Sequence, residues 1–372
     1  MKYKNLIISK RFITSSYSCL FYLEHELLKY NTVLWAFGNT SRIGNKYVDG
    51  FKSFDNDTWY GKIPRIRLFF SNIHAFFLMM TTKQTVIIND LDFFIEAYIA
   101  KKLRKNLNII HYNTELPGKD VKYSKLIEKF YKKHANFPDM IIECLPERAL
   151  YRKKKWEITK PIFVINNTIP SSDIPEYDDE IVRDYVDFYN DKPILVFAGR
   201  CNDNLILKDL VDSMSKFENK INYLMFCHGD IKYKNQLKHK CERYIKNGSC
   251  KIYDAIPRNK LLMIMQKCNI GISFYNPNYS ANYKYASPSK IYEYIACGLN
   301  IISSNNEGIN HIIEDNKIGV CIKDNENIVD ALNRLLNNDC LSNNKIKEMF
   351  YESLCYEVQA KETINELLNY VK

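Results

Sequence analysis

Short apolar runs alternate with amphipathic stretches along nearly the whole chain. In the first half the runs are Asn5–Ser9, Thr32–Phe37, Thr85–Asn89, Asn108–Tyr112, Met140–Cys144 and Ile162–Asn166. Runs of this length bounded by polar turns predict strands buried on both faces, and helical spacing between them predicts a parallel sheet. That spacing falls over Ser18–Lys29, Phe93–Arg104, Ser124–Lys133 and Pro146–Lys154. Asn45–Ile63 has no clear period and reads as loop. Ile66–Met80 is aromatic and apolar but interrupted by Ser71, Asn72 and His74. It is too short to span a bilayer, so it is either a core helix or an amphipathic helix at a membrane surface.

Residues 169–192, beginning IPSSDIPEYDDE, turn acidic and Pro-containing, as an inter-domain connection would. A second alternating series follows, with strands at Ile194–Ala198, Tyr223–Cys227, Lys251–Asp254, Ile270–Phe274, Leu299–Ser303 and Gly319–Ile322. Helices fall at Leu207–Lys216, Lys234–Lys246, Arg258–Lys267, Pro288–Cys297 and Ile309–Asp315, with a helical tail over Asn327–Leu336 and Lys345–Val371. The pattern predicts an α/β protein of two doubly wound, Rossmann-like domains facing across a cleft. Their bounds are 1–168 and 193–344, with 169–192 the linker and 345–372 a last helix returning to the first domain. Ligands of such sheets sit at the carboxyl ends of the strands.

Within the second series, SPSKIYEYIACGLNIISSNNEG (Ser287–Gly308) is the most informative stretch. Ser287 reads as an N-cap, Pro288 as the first helical residue and Gly298 as the residue past the end. Ile291, Tyr294 and Ile295 stand i, i+3, i+4 and bury one face, while Ser289, Lys290 and Glu293 gather on and beside another. A helix start without acidic residues offers N–H groups and a positive dipole end to an anion. A carboxylate one turn in can accept hydrogen bonds from a pair of sugar hydroxyls. The stretch suits a nucleotide, with diphosphate at Ser287, Ser289 and the neighbouring amides and ribose at Glu293. An amphipathic helix followed by a strand is also ordinary α/β packing.

With 372 residues and 46% hydrophobic content, two cores are affordable. No run of 18 or more apolar residues is present, and the start MKYKNLIISKRF lacks a signal-peptide core and reads as a first strand. Eleven scattered cysteines show no zinc spacing and read as reduced, mostly buried thiols of a cytoplasmic protein. Charge is uneven: residues 1–168 carry 28 Lys and Arg against 15 Asp and Glu, and the remainder 25 against 28. A basic first half suits an anionic partner, or a Lys-rich solvated surface. The run Arg148, Arg152, Lys153, Lys154, Lys155, Trp156 lies in no recognised nucleic-acid module, so no nucleic acid is expected. It reads as a solvated helix face or as an anchor for a membrane surface.

PSKIYEYIACGLNIISS resembles the donor-binding segment of retaining, family-four GT-B glycosyltransferases. Asn300 stands where that family usually has Pro, Glu307-Gly308 replaces a Gly-Gly pair, and Tyr285 occupies the first position of its Glu-x7-Glu pair. The resemblance implies transfer of a hexose-type sugar, most readily from a UDP-sugar, to a glycan or lipid-linked glycan of surface polysaccharide, with retention and without a metal or other cofactor. Val196-Phe-Ala-Gly-Arg200 with Lys208 resembles the family's Gly-Arg…Lys pair, two cations that stabilise the departing diphosphate. Tyr253-Asp-Ala-Ile-Pro257 matches a loop that reads the base, which places Ile256 against it. His111-Tyr-Asn-Thr-Glu115-Leu-Pro117 resembles a strand-end loop that puts Glu115 on the acceptor side, to orient or deprotonate a hydroxyl; a loop Glu paired with a Lys is the other reading. Lys10–Ser16 stands where a Gly-rich donor loop would be, leaving Thr14 and Ser15 to bind phosphate or sugar.

Asp90-Leu-Asp92 has the Asp-x-Asp form of metal-dependent, single-domain transferases, but the downstream order fits GT-B, and both read as strand-end caps. The implied setting is cytoplasmic, or peripheral on the inner membrane face. An isomerase of the UDP-N-acetylglucosamine 2-epimerase type on the same fold, or a non-catalytic nucleotide-sugar-binding subunit, are the alternatives.

Overall fold

A computed structural model of the chain describes residues 4–9, 22–23, 26–27, 29, 33–36, 51–52, 64–118, 121–188, 191–201, 207–323, 326–337 and 340–371. Two compact units are present: unit 1 joins Met1–Asn167 with Gln359–Lys372, and unit 2 is Thr168–Val358.

Unit 1 holds a seven-stranded sheet in the order β3-β2-β1-β4-β5-β6-β7. Its strands are β1 (Asn5–Ile8), β2 (Val33–Ala36), β3 (Phe51–Lys52), β4 (Thr85–Asn89), β5 (Asn108–Tyr112), β6 (Met140–Glu143) and β7 (Ile162–Val164). All the pairings are parallel. The apolar runs therefore form strands with fully buried positions, such as Leu6, Ile7, Val86, Ile87, Ile109 and Ile110. β3 lies in a segment whose lack of period reads as loop; two residues at the sheet edge are too few to show one. Ile66–Met80 falls inside the helix Pro64–Thr81. Ala75 and Met79 are buried, while Phe69 and Phe77 are 64% and 60% exposed.

The last helix, Lys361–Val371, belongs to unit 1 and buries Leu367 and Val371. Its backbone accepts from Asn108 Nδ2 at the Tyr370 carbonyl (3.0 Å), and Thr363 Oγ1 donates to Val164 O (2.7 Å).

Unit 2 holds a six-stranded sheet in the order β10-β9-β8-β11-β12-β13. These are β8 (Ile194–Cys201), β9 (Asn222–Gly229), β10 (Cys250–Asp254), β11 (Ile270–Ser273), β12 (Asn300–Ser304) and β13 (Gly319–Ile322), again all parallel. Alternate residues of β8 feed two cores. Ile194, Val196 and Ala198 join one with Leu224, Ile291 and Tyr294, while Leu195 and Phe197 join the other with Tyr223, Met225 and Ile302. Residues 169–192 differ from a free connection. They carry the helix Asp179–Val186, capped by Asp178, whose Val182 is fully buried in the first of these cores with Leu262 and Ile264 of the helix Arg258–Met265. The acidic residues that suggest a linker are its solvent face.

The cysteines also depart in part from the expectation of reduced thiols. Cys201 and Cys227 form a disulfide between β8 and β9, with Cα atoms 5.6 Å apart, because register places them on one face of the sheet one pleat apart. Most of the other described cysteines are buried and lie outside any disulfide, as in Cys268 and Cys297.

Candidate functional site

The strand order of unit 2 reverses between β8 and β11, and the carboxyl ends of these two strands are where an open α/β sheet leaves a crevice. β8 ends in Gly199-Arg200-Cys201, with Cys201 buried and Arg200 exposed. Arg200 pairs across the ladder with His228, and Gly229 follows with φ +119°. A Cβ at Gly229 would lie 3.0 Å from Cys201 O and 3.3 Å from Arg200 Cγ, so glycine there makes room for the arginine stem. Lys208 lies in the first turn of the next helix, Leu207–Ser213. Its side chain, like Thr14 and Ser15, lies outside the described residues.

The loop after β11 leads into the helix Ser289–Ala296, whose first turn carries no acidic residue. This helix starts one residue later than the sequence suggests: Pro288 takes the cap position with φ −72° and ψ 126°, and Ser287 precedes it, buried. Proline's fixed φ suits a cap as well as a first helical residue, which sets the shift.

Lys290 reaches from this first turn back to the end of β8. Its Nζ lies 3.1 Å from where a Cβ on Gly199 would be, and 5.4 Å and 5.6 Å from the Phe197 and Tyr275 ring centroids. Burial pushes its ammonium down to about 8, against an opposing pull from Glu293. Glycine at 199 leaves the space this ammonium fills. An acid-free helix start and a half-buried cation thus meet at the end of β8, beside the position of Arg200 in the chain, a setting that suits an anion.

Glu293, in the next turn, accepts from Arg258 Nε at 2.6 Å, and Arg258 donates from NH1 to Asp173 at 2.7 Å. Arg258 opens the helix after the Tyr253–Pro257 loop, and Ile256 in that loop is half-buried against the core that holds Ile291. The structure therefore brings Arg200, Ser287, Ser289, Lys290, Glu293 and Ile256 into unit 2. Sequence reasoning passes over Arg258, because the ion pair that reveals its place spans 35 positions.

Glu115 belongs to unit 1 and lies half-buried in the loop after β5. Its backbone is held on both sides. Asp90, at the end of β4 with φ 51°, accepts from Glu115 N (2.9 Å), Thr114 N (2.7 Å) and Thr114 Oγ1 (2.8 Å). Arg152 donates from NH2 to Glu115 O at 3.2 Å. Asp90 thus caps a loop. Beneath it His111, pushed down to about 3 by burial and by Arg152, is neutral and donates from Nε2 to Asp90 O at 2.6 Å.

The basic run from Arg148 to Trp156 is corrected as a surface feature. Arg152 is fully buried and Arg148 nearly so, both on Glu143, with Arg152 Nε 2.6 Å from its Oε1 and a further bond to Tyr131 OH at 3.0 Å. Trp156 is 7% exposed with the Arg152 guanidinium 5.1 Å from its ring centroid. Lys154 and Lys155 are the exposed part of the run.

Residues 178–352 match the family of glycosyl transferases group 1. No curated protein matches the chain by sequence. Among solved structures, Anabaena HepE in complex with UDP is similar over 99% of this chain and 100% of its own, with a TM-score of 0.75 at 12% identity. A glycosyltransferase from Rickettsia africae is similar over 100% and 99% (TM-score 0.68, 14% identity). Sucrose-phosphate synthase from Thermosynechococcus elongatus is similar over 98% of both chains (TM-score 0.69, 14% identity). Residues 178–352 thus match the group 1 glycosyl transferases, and the chain as a whole has the GT-B fold of these structures.

Proposed function

We propose that the chain transfers a hexose from a UDP-sugar to a glycan or lipid-linked glycan acceptor, with retention of anomeric configuration, in building a surface polysaccharide. One observation carries this reading: Lys290 and an acid-free helix start meet at the end of the strand that carries Arg200, where unit 2's sheet changes direction. In this reading Arg200, Lys208 and Lys290 neutralise the diphosphate as the sugar–oxygen bond breaks, and the negative charge that develops on the leaving oxygen has fixed cations beside it. Ser287, Ser289 and the helix amides bind phosphate, Glu293 the ribose, and Ile256 flanks the base. Glu115 orients the acceptor hydroxyl, and Thr14 and Ser15 complete the donor side. The UDP bound to Anabaena HepE supports uridine among the nucleosides. The exposed stripe Phe69, Ile73 and Phe77 in the basic first half supports a peripheral membrane surface as a partner.

Thermal shifts with UDP, GDP, ADP and CMP, on wild type and Arg200→Ala, test the site. A nucleotide at 100 times its Kd adds about 2.7 kcal/mol of stability. The expected result is a shift with UDP that the variant loses; no shift with any nucleoside diphosphate overturns the reading. Proton NMR of the product's anomeric centre tests retention.

A further inference from the structure

The loop that joins β11 to the helix Ser289–Ala296 carries four tyrosines, at 275, 279, 283 and 285, and no acidic residue between Tyr275 and Tyr285. Three of the rings stand in a row. Tyr275 meets Tyr283 edge to face at 5.4 Å, and Tyr283 meets Tyr279 at 5.0 Å with planes 43° apart. The row starts at Lys290, whose Nζ is 5.6 Å from the Tyr275 centroid, and ends at Tyr279, 39% exposed.

Both ends of the loop are fastened to the sheet. Asn306, fully buried, donates from Nδ2 to Tyr275 O at 2.9 Å and also to Tyr283 O. Ser304 Oγ accepts from Tyr275 N at 2.9 Å, and Ser280 Oγ accepts from Tyr283 N at 3.3 Å. Rings held this way lose little conformational freedom when a ligand meets them.

We infer that this tyrosine row is the wall on which the hexose of the nucleotide sugar lies. The inference rests on the diphosphate being held at Lys290. A pyranose joined to that phosphate extends one to two ring-widths further, alongside Tyr283. Its C–H face is apolar and its rim is hydroxyl, which matches an aromatic ring with a phenolic edge. Tyr283 is then a sugar-binding residue, Tyr279 the outer wall, and Asn306 a positioning residue acting through the loop backbone. Recognition by ring stacking, with no acidic residue in the loop, selects for sugars that present a continuous C–H face.

Isothermal titration of wild type, Tyr283→Leu and Tyr283→Phe with UDP, UDP-glucose, UDP-galactose and UDP-N-acetylglucosamine tests this. UDP affinity is expected to stay within about twofold throughout, while at least one UDP-sugar loses about fivefold or more in the Leu variant and recovers in the Phe variant, in line with the worth of a stacked ring. If all three sugars keep their wild-type ratio to UDP in the Leu variant, the inference is overturned. If wild type fails to bind UDP, the diphosphate reading itself falls, which is a separate result. Tyr279→Ala, at an exposed position, gives the same comparison should the Leu variant not fold, with the same ratio deciding.

Discussion

Lys290 sits between opposing influences, and the balance sets a pH dependence. Burial holds it at about 8, whereas a bound diphosphate favours its charged form and raises it. Binding therefore takes up a proton above about pH 8. UDP affinity is expected to be flat below that point and to fall by up to about tenfold per pH unit above it. Titration calorimetry in buffers of different ionisation enthalpy reads this directly, and Lys290→Met should flatten the profile. For the unliganded protein the sign reverses. Between about 8 and the ordinary lysine value of 10.5 the unfolded chain holds more protons at this position, so its contribution makes the fold more stable as pH rises. At this scale the sequence shows which residues carry chemistry and hides their partners. Glu293 is legible from its place in a motif; its ion pair with Arg258 is not, because nothing local links them. The tyrosine row is equally hidden, since a loop broken by the single helical turn Ala281–Lys284 is too short to show a period.

The helix Ser289–Ala296 takes its position from the strand beneath it. Tyr294 lies flat on β11 at Gly271, where a Cβ would come within 2.5 Å of the ring, and its hydroxyl donates to Ile272 O at 3.1 Å. Gly271→Ala forces ring and helix outward. It is expected to cost about 1–3 kcal/mol in urea unfolding, as overpacking does, and to weaken UDP binding through Lys290. In unit 1 the helix Pro146–Trp156 is tied to β6 by two buried arginines on one carboxylate. Glu143→Ala leaves Arg152 charged in the core without its carboxylate partner, with an expected loss of about 3–5 kcal/mol by chemical denaturation. The periodicity of this segment shows a helix. That Arg148 and Arg152, four apart, point inward does not show, because a charge pattern looks the same whether its partner is water or Glu143. For the helix Pro64–Thr81, Phe69→Ser with Phe77→Ser should abolish co-sedimentation with anionic vesicles while leaving UDP binding unchanged; equal sedimentation of both proteins would remove the membrane from the partners.

Across the whole molecule, the alternation of apolar runs is enough to lay out both parallel sheets, because strands buried on both faces have no other reading at that spacing. What the alternation does not carry is where one unit stops. The acidic segment at 169–192 packs into unit 2, and the helical tail divides, with residues up to Val358 in unit 2 and Gln359 onward in unit 1. A chain ending at Val358 is expected to keep unit 2 protected from hydrogen exchange while unit 1, stripped of Leu367 and Val371, exchanges at its strands. Unit 1 is thus built from two stretches of sequence with unit 2 between them. On the ribosome, where domains fold as they emerge, the first 167 residues wait with an open core until the final helix is made, while the contiguous unit 2 folds ahead of them. The basic, aromatic-rich half of the protein is therefore the half that spends longest exposed to chaperones and to its neighbours during synthesis.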